Sequence, residues 1–226
     1  MRQKIVILSG SGLSAESGLP TFRDAAGLWK QYSWVELASP EGWAKHPEVV
    51  LEFYNERRAK AWRAQPNAAH VAIASLETKH DVVIVTQNVD ALHERAGSTR
   101  VLHVHGELAF ARGTGPGRKR HRIDGEPIRL GQTCEEGTQL RPDIVWFGEE
   151  TLHMAEAAEH VAVADRVLVV GTSLSVYPAA GLVHATRADA VKVLNSLEME
   201  SVPRGFEFRA GRATEVVPKP AADWLR

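Results

Sequence analysis

A single cysteine, Cys134, occurs in the whole chain. One thiol cannot close an internal disulfide, and it fits a reducing, cytoplasmic setting. Nor can it furnish a structural zinc site built from cysteine pairs. No apolar run reaches the roughly 20 residues of a membrane-spanning helix. The apolar stretch nearest the start, in MRQKIVILSGSG, is ended at once by glycines and reads as a first strand, not a secretory leader. Neither sign of charge is in excess: the formal net charge is -1, so the overall field favours neither nucleic acid nor an anionic membrane. No repeat and no linker divides the chain. What remains, 226 residues with 44% of the hydrophobic set, suits one monomeric domain with a full core.

Short β-branched runs alternate with longer amphipathic stretches. Strands are predicted at Lys4–Leu8, Val82–Thr86, Val101–Val104, Asp143–Phe147, Arg166–Val170 and Val191–Leu194, several apolar on both faces as buried parallel strands are. Helices are predicted at about Pro47–Arg63, Asn67–Lys79, Thr151–Ala164 and Pro178–Ala188. The alternation argues an α/β fold, a Rossmann-like doubly wound parallel sheet whose ligands bind beyond the carboxyl ends of the strands. Two stretches break it and read as an inserted small lobe of about 34–65 and 109–139. The first is helical and rich in Trp and Arg. The second is rich in Gly and polar residues and carries the basic run Arg118–Arg122, read as a solvated loop. The large lobe is then about 1–33, 66–108 and 140–226.

The strand ends hold the chemistry. After the first strand comes Ser9-Gly10-Ser11-Gly12-Leu13-Ser14-Ala15, either a plain tight turn or one whose glycines let backbone N–H groups approach a pyrophosphate. Phe22 and Arg23 follow Pro20 as a lid or a packed surface turn. Gln87, Asn88 and Asp90 follow the second strand, either as a helix cap or facing the crevice. His103 and His105 share one face at the third, and histidine is the side chain suited to general-base work near neutral pH. Val145-Trp146-Phe147-Gly148-Glu149 is an ordinary strand and turn, or an edge on which an extended peptide pairs. Gly171-Thr172-Ser173 opens a second glycine and hydroxyl turn, and the last strand ends at Asn195.

Taken in order, these motifs resemble the sirtuin family of NAD-dependent protein deacylases from Ile5 to about Pro218. The resemblance implies NAD as cofactor, acyl-lysine proteins as substrates, and release of nicotinamide and O-acyl-ADP-ribose. It implies that His105 is the base that deprotonates a ribose hydroxyl. Gln87, Asn88 and Asp90 would hold nicotinamide and its ribose, with Asn88 and Asp90 counted beside His105 in the catalytic set. Gly10, Ser11, Gly12, Ala15, Phe22 and Arg23 match the pyrophosphate loop and lid. Gly171, Thr172, Ser173 and Asn195 match the phosphate and adenosine-ribose contacts, and Phe147, Gly148 and Glu149 the substrate clamp. The family's two zinc-binding cysteine pairs would fall near Gly113 and Pro116 and near Cys134 and Gly137. A shortened module without structural zinc is therefore expected. Transfer of ADP-ribose to protein, or a non-catalytic NAD-binding module, are the alternatives.

On the helix Pro47–Arg63, Val50, Tyr54, Arg57 and Ala61 form one stripe, which places a guanidinium on a sheltered side. Such a group needs acceptors, from a salt bridge or from an acidic ligand. Tyr54 and Arg57 resemble the Tyr-x-x-Arg pair of the sirtuin subgroup that removes succinyl and malonyl groups. The resemblance implies that preference, with acetyl removal retained.

Overall fold

The computed structural model describes residues 2–21, 33–117 and 119–226. Nine strands run along the described chain: β1 (Lys4–Ser9), β2 (Asp81–Thr86), β3 (Val101–His103), β4 (Gly106–Gly113), β5 (Arg120–Arg122), β6 (Leu140–Ile144), β7 (Arg166–Val170), β8 (Val191–Ser196) and β9 (Glu207–Ala210). Six of them form a parallel sheet in the spatial order β3-β2-β1-β7-β8-β9. Renumbered within that sheet, the order is 3-2-1-4-5-6, the doubly wound arrangement, and it reverses between β1 and β7. At such a reversal, successive crossovers leave on opposite faces, so a crevice opens at the carboxyl ends of these two strands.

The apolar runs KIVILS, DVVIVT and RVLVV form the middle of the sheet because β-branched side chains fit a pleated surface covered on both sides. Val6, Leu8, Val83, Val85, Val167 and Val169 face one layer with Ala157 and Val161 of the helix Met154–Ala162 and Leu182 of the 3-10 helix Ala179–Ala185. Ile5, Ile7, Val82, Ile84, Leu168 and Val170 face the other, with Ile73 of the helix Ala68–Ser75 and Ala221 and Trp224 of the helix Pro218–Trp224. Asn67 starts the helix Ala68–Ser75 by accepting from the Ala69 and His70 amides. No helix among the described residues is long and apolar enough to cross a membrane.

The remaining strands form an antiparallel sheet in the order β5-β4-β6. Against it packs the helix Pro47–Arg63, whose Val50, Phe53 and Tyr54 meet Leu108, Ile144 and Trp146. Short helices at Trp34–Leu37 and Pro40–Lys45 precede it, in keeping with the helical reading of that insertion.

The structure corrects four sequence expectations. The strand placed at Asp143–Phe147 runs instead over Leu140–Ile144, in the small antiparallel sheet, and its continuation is held by single bonds from Val145 N to His105 O and from Phe147 N to Ala38 O. Its apolar composition comes from burial under the Pro47–Arg63 helix, not from a place among the parallel strands. The main sheet does not end at Asn195: β9 adds an edge strand paired with β8 through Leu194↔Phe208 and Asn195↔Arg209. The stretch predicted as a helix at Pro178–Ala188 is a 3-10 helix over Ala179–Ala185. The basic run is no free loop, since Arg120–Arg122 is β5 and Arg120 donates from Nε to Asp143 Oδ2 at 2.6 Å. Arg118 lies outside the described residues.

Charge stitches the small sheet to the turn that follows it. Arg141 grips Glu149 with two bonds, Nη1 to Oε1 at 2.7 Å and Nη2 to Oε2 at 3.0 Å. Arg112 adds a third at 3.1 Å, and the Trp146 amide donates to Oε2 at 2.9 Å. Burial alone would raise the Glu149 pKa, but Arg141 above all holds it below the usual glutamate range. Removing that charge would leave two nearly buried guanidinium groups facing each other. Glu149→Gln is expected to cost about 3 kcal/mol, read as a lower unfolding midpoint in denaturant. A cost below about 0.5 kcal/mol would show that the network contributes nothing.

Candidate active site

The crevice is a cavity of about 860 Å³ at the carboxyl ends of β1, β2, β7 and β8. Gly10, Ser11, Gly12 and Ala15 line it from the turn after β1, and Gly171, Thr172 and Ser173 from the turn after β7. Gln87 and Asn88 come from the end of β2, His105 from beyond β3 and Asn195 from β8. The helix Pro47–Arg63 contributes Tyr54 and Arg57, and the turn beyond β6 contributes Phe147, Gly148 and Glu149. Asp90 does not line this cavity. It is buried beside a smaller one shared with Ser11, Arg57 and Asn88. Phe22 and Arg23 lie outside the described residues.

The two glycine turns lock together. Gly10 N donates to Val170 O at 3.0 Å and Gly12 N to Gly171 O at 2.8 Å. A Cβ on Gly10 would stand 2.7 Å from Thr172 Cβ, and one on Gly12 2.9 Å from Gly171 Cα. These two N–H groups hold the second turn, and the missing side chains make room for it. Ser11, between them, lines the cavity at the first position of the helix Ser11–Ala15.

Gln87, Asn88 and His105 are held by backbone as much as by side chains. His105 Nδ1 lies 3.2 Å from Gln87 O. A carbonyl only accepts, so Nδ1 carries the hydrogen and Nε2 keeps its lone pair. Burial lowers the His105 pKa and the Gln87 bond opposes this only in part, so the ring is a neutral base near pH 7. Gln87 Nε2 reaches Thr172 Oγ1 at 3.2 Å, joining β2 to the β7 turn. Asn88 Nδ2 donates to Gly10 O at 3.1 Å and to Ser14 Oγ at 3.0 Å. Asp90 Oδ1 accepts from the Leu92 amide at 3.1 Å, at the entry to the helix Leu92–Arg95, and borders the smaller cavity, not the main one. Burial raises the Asp90 pKa, with Leu92, Ser14 and His103 opposing.

Asn195 gives the clearest sign of a missing partner. Its Nδ2 donates to Arg209 O at 2.9 Å and Gly211 O at 3.0 Å, while Oδ1 is buried without one. A buried orphan acceptor costs about 1–3 kcal/mol, and at a cavity wall it fits a ligand hydroxyl.

On the opposite wall Trp146 Nε1 donates to Tyr54 Oη at 3.1 Å, which leaves the tyrosine hydrogen as a donor. Burial raises the Tyr54 pKa and keeps the group protonated. The Arg57 guanidinium lies 5.3 Å from the Phe53 ring centroid and 5.6 Å from that of Tyr54, and burial weakens its basicity without neutralising it. Phe147 stacks edge-on against Trp34 at 4.7 Å at the rim.

Sequence reasoning missed three supports: Ser14, which holds Asn88; Trp146, which orients Tyr54; and Arg58, fully buried one residue beyond Arg57. Arg58 donates to Leu108 O at 2.7 Å and Asn55 Oδ1 at 2.6 Å. The 3.6-residue periodicity marks the stripe of Arg57 but gives no signal for a second cation that satisfies backbone.

Set against known proteins, residues 10–178 match the model of the Sir2 family. The chain belongs to the Sir2 family. An NAD-dependent protein deacylase of Helicobacter pylori strain J99 is 50% identical over 189 residues, covering 84% of this chain and 80% of that one. One from Bacteroides thetaiotaomicron is 40% identical, covering 98% and 94%. Among solved sirtuins, an ADP-ribose complex of a Sir2 homologue variant superposes with TM-score 0.91 at 37% identity, covering 99% of this chain and 92% of that one. A Sir2 homologue bound to NAD gives 0.86 at 37% identity, covering 99% and 90%.

The sirtuin cavity here fits a dinucleotide. It has the volume, hydroxyl and helix-end donors along one side, and an orphan acceptor in Asn195. Zinc on cysteines does not fit. With one thiol in the chain, a Cβ at Gly113 would stand 2.8 Å from Cys134 Sγ, so two expected ligand positions adjoin but only one carries sulfur.

Proposed function

We propose that this chain is an NAD-dependent protein-lysine deacylase that removes succinyl and malonyl groups and also acetyl groups. The observation that carries the reading is that His105, with Nε2 unprotonated, shares one cavity with the Tyr54 and Arg57 pair. NAD, when bound, supplies the ribose carbon and hydroxyls to which the acyl group passes as nicotinamide leaves. Ser11 and the Gly171–Ser173 turn hold its phosphates, and Asn195 Oδ1 accepts from the adenosine ribose. Gln87, Asn88 and Asp90 border the nicotinamide ribose, and His105 Nε2 takes the proton of a ribose hydroxyl. Phe147 and Gly148 receive the substrate backbone. Glu149, its carboxylate engaged by Arg141 and Arg112, acts by fixing that turn.

The Arg57 guanidinium pairs with a dicarboxylic acyl group and the Tyr54 hydroxyl donates to it. Arg57→Met is expected to reduce kcat/KM for a succinyl-lysine peptide by about ten- to hundred-fold, the loss of a charge-assisted contact, and to change acetyl-lysine turnover little. Equal losses on both peptides, by mass spectrometry of the reaction mixtures, would assign Arg57 to structure. The enzyme is read as a monomer acting on acyl-lysine proteins, and its single thiol is in keeping with the reducing cytoplasm.

A further inference from the structure

His103, the last residue of β3, is 5% exposed and lies outside the cavity. Both of its ring nitrogens meet oxygen. Nδ1 is 3.0 Å from the Asn88 carbonyl, and Nε2 is 2.8 Å from Glu94 Oε1 with Glu107 Oε2 at 3.9 Å. A carbonyl oxygen has no hydrogen to give, and an ionised carboxylate has none either. Satisfying both contacts puts a hydrogen on each nitrogen, which makes the ring an imidazolium. The opposite arrangement holds for His105, where a single carbonyl leaves one nitrogen bare.

We propose that His103 is a positioning residue: as an imidazolium it ties the Asn88 carbonyl to the Glu94 carboxylate, and so presents Asn88 and Asp90 to the nicotinamide end of the cofactor site. This rests on the reading of Asn88 and Asp90 given above. His103 and His105 between them fasten two consecutive carbonyls, Asn88 and Gln87, so the two histidines fix the backbone from which the Gln87, Asn88 and Asp90 side chains project. The charge acts beyond the hydrogen bond. It is among the influences that favour ionised Asp90 against the cost of burial.

The groups around the ring support the charge. Glu94 and His93 come from the helix Leu92–Arg95, Glu107 from β4 and Asp90 from the loop after β2. Arg120 of β5 neutralises part of Glu107 through a 2.5 Å bond to its other oxygen. His93 is held neutral, by burial first and then by His70 and His103, so it does not compete as a cation. Burial opposes the charge on His103, but Glu94 and Glu107 outweigh it and the ring titrates above the usual imidazole range. As pH rises through that point Nε2 loses its hydrogen, and a lone pair then faces the Glu94 carboxylate at hydrogen-bond distance. The contact breaks, and the Asn88 segment loses its anchor.

The test has two parts. In the intact protein with ¹⁵N-labelled histidine, NMR is expected to show hydrogens on both His103 nitrogens at pH 7 and titration above the range of free imidazole. A bare Nε2 at pH 7 would overturn the proposal. In steady-state kinetics His103→Leu is expected to raise KM for NAD by about tenfold or more while KM for the acyl peptide stays within twofold. His103→Asn keeps a donor where Nδ1 stands but loses the charge and the tie to Glu94, and should recover only part of that loss. Glu94→Gln, which alters a half-exposed partner and spares the fold, should move the alkaline limb of kcat/KM for NAD to lower pH. Unchanged KM for NAD in His103→Leu, or an unmoved alkaline limb in Glu94→Gln, overturns the proposal. Asn88→Ala, measured beside them, separates the two readings. If it raises KM for NAD and His103→Leu does not, the positioning role alone fails; if it leaves KM for NAD unchanged, the reading of the site falls and this proposal with it.

Discussion

His105→Ala is expected to lower deacylation turnover by about 10²- to 10⁴-fold while NAD affinity changes by no more than severalfold. The ring is held through Nδ1 by the Gln87 carbonyl and offers only Nε2 to the cavity, so its removal takes away a base and little binding surface. Turnover is read as nicotinamide release on a succinyl-lysine peptide, and affinity as the rise in melting temperature on adding NAD. Full activity in the variant would mean that another group takes the ribose proton. The acid limb of the wild-type profile follows from the same burial. His105 titrates below the usual imidazole range, so its base form persists as pH falls and kcat/KM declines only as pH drops through that lowered value. An acid limb at the ordinary imidazole pKa would contradict the buried setting.

Gly171→Ala is expected to be severely damaging, costing at least about 4 kcal/mol or preventing folding. Two effects add. The backbone there has φ +64, which an L side chain rarely adopts, and the new Cβ would stand 2.2 Å from Leu13 N and 2.7 Å from Gly12 C. Those are backbone atoms of the opposing turn, with no side chain to swing aside, and Gly12 is part of the cavity wall. For a chain of this size a loss of 4 kcal/mol lowers the melting temperature by roughly 10 °C. Gly181→Ala is the control, since its Cβ would meet only Tyr177 ring carbons, at 3.6 Å or more, at an ordinary φ. Equal melting temperatures for the two variants would show that the two turns have room to part.

Much of the site was legible because a parallel sheet delivers its functional groups at strand ends, and three of those strands announce themselves by unbroken β-branched runs. Gln87, His105, Gly171 and Asn195 could each be placed one residue or a few beyond such a run. Legibility failed where an element is short or where its partner is distant in sequence. β9, with Glu207 and Arg209 exposed or half-exposed on a sheet edge, lacks the apolar run that marks a buried strand. The β4–β6 pairing joins Gly106 to Ile144 across a long insertion, so Asp143–Phe147 read as one more parallel strand. The charge on His103 was out of reach for the same reason. Its two acceptors belong to a loop carbonyl and to a helix, and only the fold brings them to opposite sides of one ring.

The antiparallel sheet beside the cavity is fastened by Arg112, Arg120 and Arg141 on Asp143 and Glu149. One thiol, Cys134, cannot by itself hold a zinc ion. Fastenings of charge respond to acid, which protonates the carboxylates that bind the arginines. The stability contributed by Glu149 is complete above the ordinary glutamate pKa and disappears as pH falls through its lowered value. Vinegar is a reagent to which these fastenings are vulnerable.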